Sequence, residues 1–96
     1  MKIQLKKFGT ILASRQSGRE AFAAFQPTLS ENKGTEDIEV DFGEVTTFSP
    51  SWGDEFLRPL YEMYRNRLFL RATNNPSVKA SLEILEEANK MKFQKR

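Results

Sequence analysis

The residues with the greatest chemical potential in this sequence lie between positions 49 and 55. Ser49 and Ser51 flank a proline, and Asp54 and Glu55 follow within about one helical turn. Hydroxyl groups beside carboxylates suit three roles, which are capping of a helix start, acid–base catalysis, and phosphorylation of a serine. The choice among them depends on whether a helix begins at this turn.

A helix start accounts for the pattern without any catalysis. Ser49 before Pro50 matches an N-cap followed by the first helical residue, because proline has no N–H to leave unpaired there. Ser51 with Asp54 three residues later matches a capping box in a shifted register. In either register the helix dipole favours Asp54 and Glu55 by about 0.3–1 kcal/mol each. The two acids point about 100° apart and do not converge on one atom, so we predict that the protein is not an enzyme.

Trp52 and Gly53 complete the candidate site. Trp52 is the only tryptophan, and it is either a core wedge or a binding anchor, with the core favoured because small domains rarely expose such a side chain. Gly43 and Gly53 fit no nucleotide-binding glycine fingerprint. The chain has no cysteine and no histidine, which excludes disulfides, thiolate or imidazole metal ligands and nucleophile–histidine pairs. We therefore predict neither a metal nor a cofactor.

Composition points to one small domain with a nearly balanced charge. A chain of 96 residues with 39% hydrophobic content holds a single core. Fifteen Lys and Arg face thirteen Asp and Glu, so the net charge is only +2 and nucleic-acid binding gains little support. The N-terminus alternates apolar and charged residues, and no run is long enough to span a bilayer. We expect a soluble, cytoplasmic protein with no membrane partner, and the oligomeric state stays open.

Hydrophobic periodicity predicts alternating strands and helices. Period-2 alternation predicts strands over 1–8, at a sheet edge, and over 38–42, and a further apolar run at 68–73 is assigned to a third strand. Helical spacing predicts a first helix capped by Ser14, a second that begins at Ser49 or Ser51, and a third that opens after Asn75. The strands that flank the second helix form a βαβ unit and should be parallel.

Prolines and polar segments set the predicted boundaries. Pro27 should kink or end the first helix, and Pro59 should bend the second. Residues 30–37 are polar and rich in turn formers, so they predict a surface connector. Residues 1–93 form the predicted domain, followed by the basic C-terminal residues 94–96. A frayed, solvated end is predicted for Lys90, Lys92, Lys95 and Arg96.

The motif residues resemble a known family. The run from Asp41 to Ser51 resembles the strand-to-helix signature of STAS domains, the fold of bacterial anti-sigma factor antagonists, and 75–78 resembles the turn that opens their later helix. Through Ser14–Arg15 and 49–56 the chain is more similar to the STAS-like family of unknown function, small bacterial proteins often encoded beside histidine-kinase-like ATPases. This resemblance implies a small α/β domain with a three- to four-stranded mixed sheet and about three helices.

The resemblance also implies a partner-switching function. STAS antagonists bind a histidine-kinase-like ATPase and are released when it phosphorylates a serine at this helix start. In an ungapped match that serine falls on Pro50, which has no hydroxyl, so docking is implied more directly than phosphorylation. The implied partner-binding residues, with the serines as possible phosphorylation sites, are Ser49, Ser51, Trp52, Gly53, Asp54 and Glu55. The alternatives are a structural or antitoxin-like subunit of a larger effector complex and, more weakly, a nucleotide- or anion-binding domain that uses the same helix start.

Overall fold

The chain alternates between short strands and longer helices. In the computed structural model, which describes residues 1–32 and 36–96, the strands are β1 (Lys2–Gln4), β2 (Ile11–Leu12), β3 (Ile38–Asp41), β4 (Thr47–Phe48), β5 (Leu68–Leu70) and β6 (Gln94–Lys95). The helices are α1 (Arg15–Asn32), α2 (Pro50–Tyr64) and α3 (Pro76–Asn89), with short 3-10 helices at Leu5–Phe8 and Arg65–Arg67. Residues 33–35 of the predicted connector lie outside the described residues, and 30–32 belong to α1.

The strands form one four-stranded sheet and one smaller pair. The large sheet has the order β1-β3-β5-β6, with β1 at the edge as predicted. All of its pairings are parallel, where a mixed sheet was expected. The predicted α/β domain with four strands in its sheet and three helices is confirmed, and so is the parallel pairing of β3 with β5 across α2. The pair β2-β4 was not predicted, because two residues carry no periodic signal.

One face of the large sheet holds the core. The strand order follows the chain order, so right-handed crossovers place the helices on the same face. The strand residues on that face are at most 1% exposed, and they are Ile3, Ile38, Val40, Leu68 and Leu70. Parallel sheets are usually covered on both faces. Here charged side chains lie on the other face. The Arg96 guanidinium lies 3.8 Å from the Phe69 ring centroid and pairs with Glu39 at 3.6 Å.

The C-terminal residues are part of the sheet, so the prediction of a frayed end is wrong for Lys95 and Arg96. Gln94 and Lys95 form β6, and the Arg96 N–H donates to the Leu70 carbonyl at 2.9 Å. Phe93 is 3% exposed and anchors the segment in the core. The open edge of β5 offers backbone partners that outweigh the weak strand propensity of this basic tail.

Both internal prolines lie inside helices that continue past them. α1 runs five residues beyond Pro27 to Asn32, so the prediction that Pro27 could end the helix is wrong. Leu29 is 3% exposed, and burial of such a side chain stabilises the last turn by about 1.5–3 kcal/mol, comparable with the cost of an internal proline. α2 likewise continues past Pro59 to Tyr64, and a bend there stays a prediction.

Candidate functional site

The start of α2 is capped by Ser49. Its backbone is extended, with φ −100° and ψ 156°, and its Oγ accepts a hydrogen bond from the Trp52 N–H at 3.1 Å. The same hydroxyl donates to the Ala13 carbonyl, just before α1, at 2.5 Å. Pro50 is the first helical residue, so the first of the two predicted registers is confirmed and the capping box at Ser51 is not formed. The Ser49 hydroxyl is thus occupied as both donor and acceptor.

Ser51 differs from Ser49 in its hydrogen bonding. It lies in the first turn of α2 and is half-buried. Within residues 1–32 and 36–96 its hydroxyl makes no hydrogen bond, whereas the Ser49 hydroxyl makes two. Of the two predicted serines, Ser51 is therefore the one whose oxygen is available to react or to bind.

Trp52 and Gly53 are core residues. Trp52 is 0% exposed, stacks on Phe56 at 4.9 Å between ring centroids, and donates from its indole N–H to the Ser17 hydroxyl at 3.3 Å. A Cβ on Gly53 would lie 2.6 Å from a methyl carbon of Leu85. The core role favoured for Trp52 is confirmed. The expectation that Trp52 and Gly53 contact a partner directly is corrected, because neither residue reaches the surface in this structure.

Helices α1 and α2 cross closely at Gly18 of α1. A Cβ at Gly18 would lie 2.7 Å from the Trp52 carbonyl oxygen and 3.1 Å from its Cα. No side chain fits in that space. The glycine weakens the isolated helix but lets the backbone of α1 rest on the first turn of α2, which positions Trp52 and the residues that follow it.

Asp54 and Glu55 tie the two helices together. Arg15 Nη1 donates to Asp54 Oδ2 at 2.7 Å and to Glu55 Oε1 at 3.3 Å. Arg19 lies 3.4 Å from Glu55, and Arg58 Nε donates to Asp54 at 2.8 Å. The hydrogen bond from Arg15 is the main cause that lowers the pKa of Asp54, and the two carboxylates in turn raise the pKa of Arg15. Both acids are therefore engaged inside the domain.

The turn that precedes α2 is held by the start of α3. The Phe48 carbonyl accepts hydrogen bonds from the Ser77 and Ser81 hydroxyls, and the Phe48 N–H donates to Ser77 Oγ at 3.0 Å. Asn75, predicted only as part of the turn before the third helix, caps α3, and its amide also donates to the Val45 carbonyl at 2.7 Å. Sequence reasoning missed the contribution of Ser77 and Ser81, which resemble ordinary helix-surface serines until β4 is placed beside them.

Asp41 closes the other end of this turn. Its Oδ1 accepts from the Gly43 N–H at 2.9 Å, and its other oxygen lies 3.8 Å from Lys2 Nζ. This carboxylate therefore both caps the turn and forms a salt bridge. Glu44 has φ +67° and pairs with Lys6 at 2.6 Å. The turn is thus fixed at its start, its middle and its end.

What remains accessible beside the helix start is a small surface with one apolar centre. Ile11 in β2 is 66% exposed and pairs in register with Thr47 of β4. We call this the turn surface, and its members are Ile11, Gly43, Glu44, Thr46, Thr47 and Ser51. Ile11 was missed because the sequence shows only an apolar pair before α1. Its exposure is decided by the pairing of β2 with β4.

Comparison with known proteins adds no relative. No protein-family model, curated protein or solved structure matches this chain. The resemblance to the STAS-like family therefore rests on the motif residues alone. Among the described residues, no helix combines the length and the apolar character needed to cross a membrane.

Proposed function

We propose that the protein is a noncatalytic regulatory module that binds a protein partner through the turn surface and the neighbouring exposed side of α2. The observation that carries the proposal is the contrast at the helix start. Ser49, Asp54 and Glu55 are engaged within the domain, while Ile11 and the Ser51 hydroxyl are left accessible beside them. An apolar centre with a polar rim is the arrangement of a protein contact, and it suits a small polar ligand less well.

The hydrogen bonds around the turn support this proposal through preorganisation. β4 is held on one side by the Thr10 carbonyl, which accepts from the Thr46 N–H at 2.8 Å, and on the other side by Ser77. A surface that is already ordered loses little conformational entropy when it binds. A partner can therefore dock on a small area around Ile11 without refolding the loop.

The proposed partner is a histidine-kinase-like ATPase, as the resemblance implies, and the proposed site of regulation is Ser51. Ser51 is three and four residues before Asp54 and Glu55, so the three side chains share one side of α2. A phosphate on Ser51 would add about two negative charges there and compete with both acids for Arg15. Phosphorylation would in this way weaken the contact between α1 and α2 beside the docking surface.

Co-purification with a neighbouring ATPase tests this function, followed by intact-mass measurement after addition of ATP. We expect a complex and a gain of one phosphate that is lost in Ser51→Ala. Ser49→Asn is the matched control, because asparagine keeps the N-cap while it removes the hydroxyl. The absence of both a complex and a mass change contradicts the proposal, and capture of a nuclease or toxin instead favours the structural-subunit alternative.

Docking is tested separately from modification by two matched charge insertions. Ile11→Glu places a carboxylate at the centre of the turn surface, whereas Ile84→Glu makes the same change at a 52% exposed position on α3. We expect Ile11→Glu to lower partner affinity at least about tenfold, since an apolar contact is replaced by a buried charge. Equal effects of the two variants would place the docking surface elsewhere.

A further inference from the structure

The ion pairs of the domain leave one group of cations unpaired. Most described lysines and arginines, such as Arg58 and Lys95, form salt bridges with an acid. Those that form none are Lys7, Arg65, Arg67, Lys79, Lys90 and Lys92. Four of these six lie in two short segments, 65–67 and 90–92.

These two segments meet at one end of the molecule. The 3-10 helix Arg65–Arg67 follows α2, and 90–92 follows α3. Arg65 and Lys90 line the same groove, which has a volume of about 260 Å³. β5 and β6 are parallel with Phe69 opposite Gln94, and Arg67 and Lys92 each stand two residues before these paired positions, at the same end of the two strands. We call Arg65, Arg67, Lys90 and Lys92 the basic end.

Helix capping explains only part of this cluster. Arg65 and Lys90 are the C-cap residues of α2 and α3, where a cation complements the negative end of the helix dipole. Arg67 and Lys92 are not caps, and they directly precede the buried residues Leu68 and Phe93. Capping therefore accounts for two of the four cations, and Arg67 lies 5.5 Å from the Tyr64 ring centroid without an acid to pair with.

We propose that the basic end binds an acidic segment of a partner protein, rich in aspartate or glutamate. The charge of the cluster is complementary to such a segment, and the groove also presents Tyr61 and Met91 as an apolar wall for its side chains. Glu62 lines the groove as well, 3.9 Å from Arg58. Separate carboxylates on a flexible peptide can be placed to avoid Glu62.

Nucleic acid fits this groove less well than an acidic peptide. A continuous phosphate backbone would pass Glu62, and the compact cluster lacks the long basic track that such a backbone requires. The Tyr61 ring already contacts the Phe93 ring edge to face, at 5.7 Å between centroids, and the Arg65 guanidinium at 5.6 Å, which makes it a poor stacking platform for a base. The net charge of +2 agrees with this choice.

The basic end is separate from the surface proposed for the regulatory function. α2 has 15 residues and a length of about 22 Å, with Ser51 in its first turn and Arg65 at its C-cap. The two surfaces therefore lie at opposite ends of α2, in a domain whose principal dimensions are 32 × 24 × 22 Å. The domain can thus contact two partners, or two segments of one partner, at the same time.

Fluorescence anisotropy with a labelled poly-glutamate peptide tests the basic end in the full-length chain. A single-stranded oligonucleotide of the same length and charge is the competing probe. We expect the peptide to bind more tightly than the oligonucleotide, with an affinity that falls as salt is raised. The double variant Arg67→Gln/Lys92→Gln should bind the peptide more weakly, by about 2-fold to 25-fold, since each exposed ion pair contributes about 0.2–1 kcal/mol. Lys79→Gln removes an equally unpaired cation at the start of α3 and should change nothing.

Three outcomes overturn the proposal. They are failure of the peptide to bind at low salt, tighter binding of the oligonucleotide, and a loss in Lys79→Gln equal to that in the double variant. Because a variant can fail for lack of folding, amide chemical shifts of the unmodified protein give a second measurement. The peptide should perturb 65–67 and 90–92 and leave 43–51 unchanged, and the reverse pattern contradicts the assignment.

Discussion

Arg15 Nη1 lies 2.7 Å from Asp54 Oδ2, and this hydrogen bond joins the first residue of α1 to the first turns of α2. The two residues are 39 positions apart in the chain. In the sequence Asp54 resembles a free acid at the start of a helix, available to a partner. In the folded domain it holds two helices together, which leaves Ser51 and Ile11 as the accessible groups beside it.

The Arg15–Asp54 contact predicts a dependence of stability on pH. The pKa of Asp54 is lowered in the folded protein from its ordinary value of 3.8, so its stabilising contribution is present above that value and is lost as pH falls below it. Asp54→Asn should therefore reduce the loss of unfolding free energy at acidic pH. At neutral pH it should lower the free energy of unfolding by about 0.2–1 kcal/mol. Urea unfolding at a series of pH values measures both effects. Gln16→Ala, on the exposed side of α1, is the control and should leave the loss at acidic pH unchanged.

Alanine variants at Ser49 and Ser51 should differ sharply in their free energies of unfolding. Ser49→Ala removes the N-cap of α2 and the bond to the Ala13 carbonyl, so we expect a loss of about 0.5–2 kcal/mol in the free energy of unfolding. Ser51→Ala removes a hydroxyl that makes no described hydrogen bond and should stay within about 0.5 kcal/mol of the parent. Chemical denaturation compares the two variants, and equal losses would contradict the assignment of Ser49 as the cap.

Trp52→Ala should destabilise the domain by about 3–5 kcal/mol, because it empties a fully buried site against Phe56 and Phe48. Trp52→Phe keeps part of the ring packing and should cost less. The only tryptophan also reports directly on burial, since its fluorescence in the native protein should be blue-shifted and poorly quenched by iodide. Ready quenching in the native state would place the side chain at the surface instead.

Gly18→Ala should destabilise the protein, even though alanine is about 1 kcal/mol more favourable than glycine in an isolated helix. The added Cβ would lie 2.7 Å from the Trp52 carbonyl oxygen, so α1 must move away from α2 at an expected cost of about 1–3 kcal/mol. Thermal unfolding measures the change, with Gln16→Ala as the exposed control on the same helix. A stabilised Gly18→Ala would show that the two helices do not approach as closely as described.

Truncation after Phe93 tests whether 1–93 is a complete folding unit. It removes β6 and the contacts of Arg96 with Phe69 and Glu39. Lost hydrogen bonds and the lost cation–π contact should lower the free energy of unfolding by about 1–3 kcal/mol. The variant Arg96→Gln removes only the side-chain contacts and keeps β6, so it should lower the free energy of unfolding less than the truncation does. An unchanged denaturation midpoint for the truncated chain would mean that β6 contributes nothing to stability.

Local features of the fold were predictable from the sequence. The start of α2 follows from Ser49 and Pro50, because an N-cap and a first-turn proline act on backbone groups within four residues of themselves. The strand at 38–41 and the cap of α3 at Asn75 follow from equally local signals. Periodicity of apolar residues then predicts which faces are buried, and so the α/β class.

Only the tertiary structure decided which of the candidate residues are accessible. Trp52 and Gly53 are buried because Phe48 and Leu85 arrive from other elements, and Asp54 is paired because Arg15 does. The basic end is defined in the same way, because no acid of the described residues reaches Arg65, Arg67, Lys90 or Lys92, whereas most other cations are paired. The sequence alone determined what each residue is able to do, and contacts between distant parts of the chain decided which residues remain free to do it, because burial and ion pairing depend on neighbours in space.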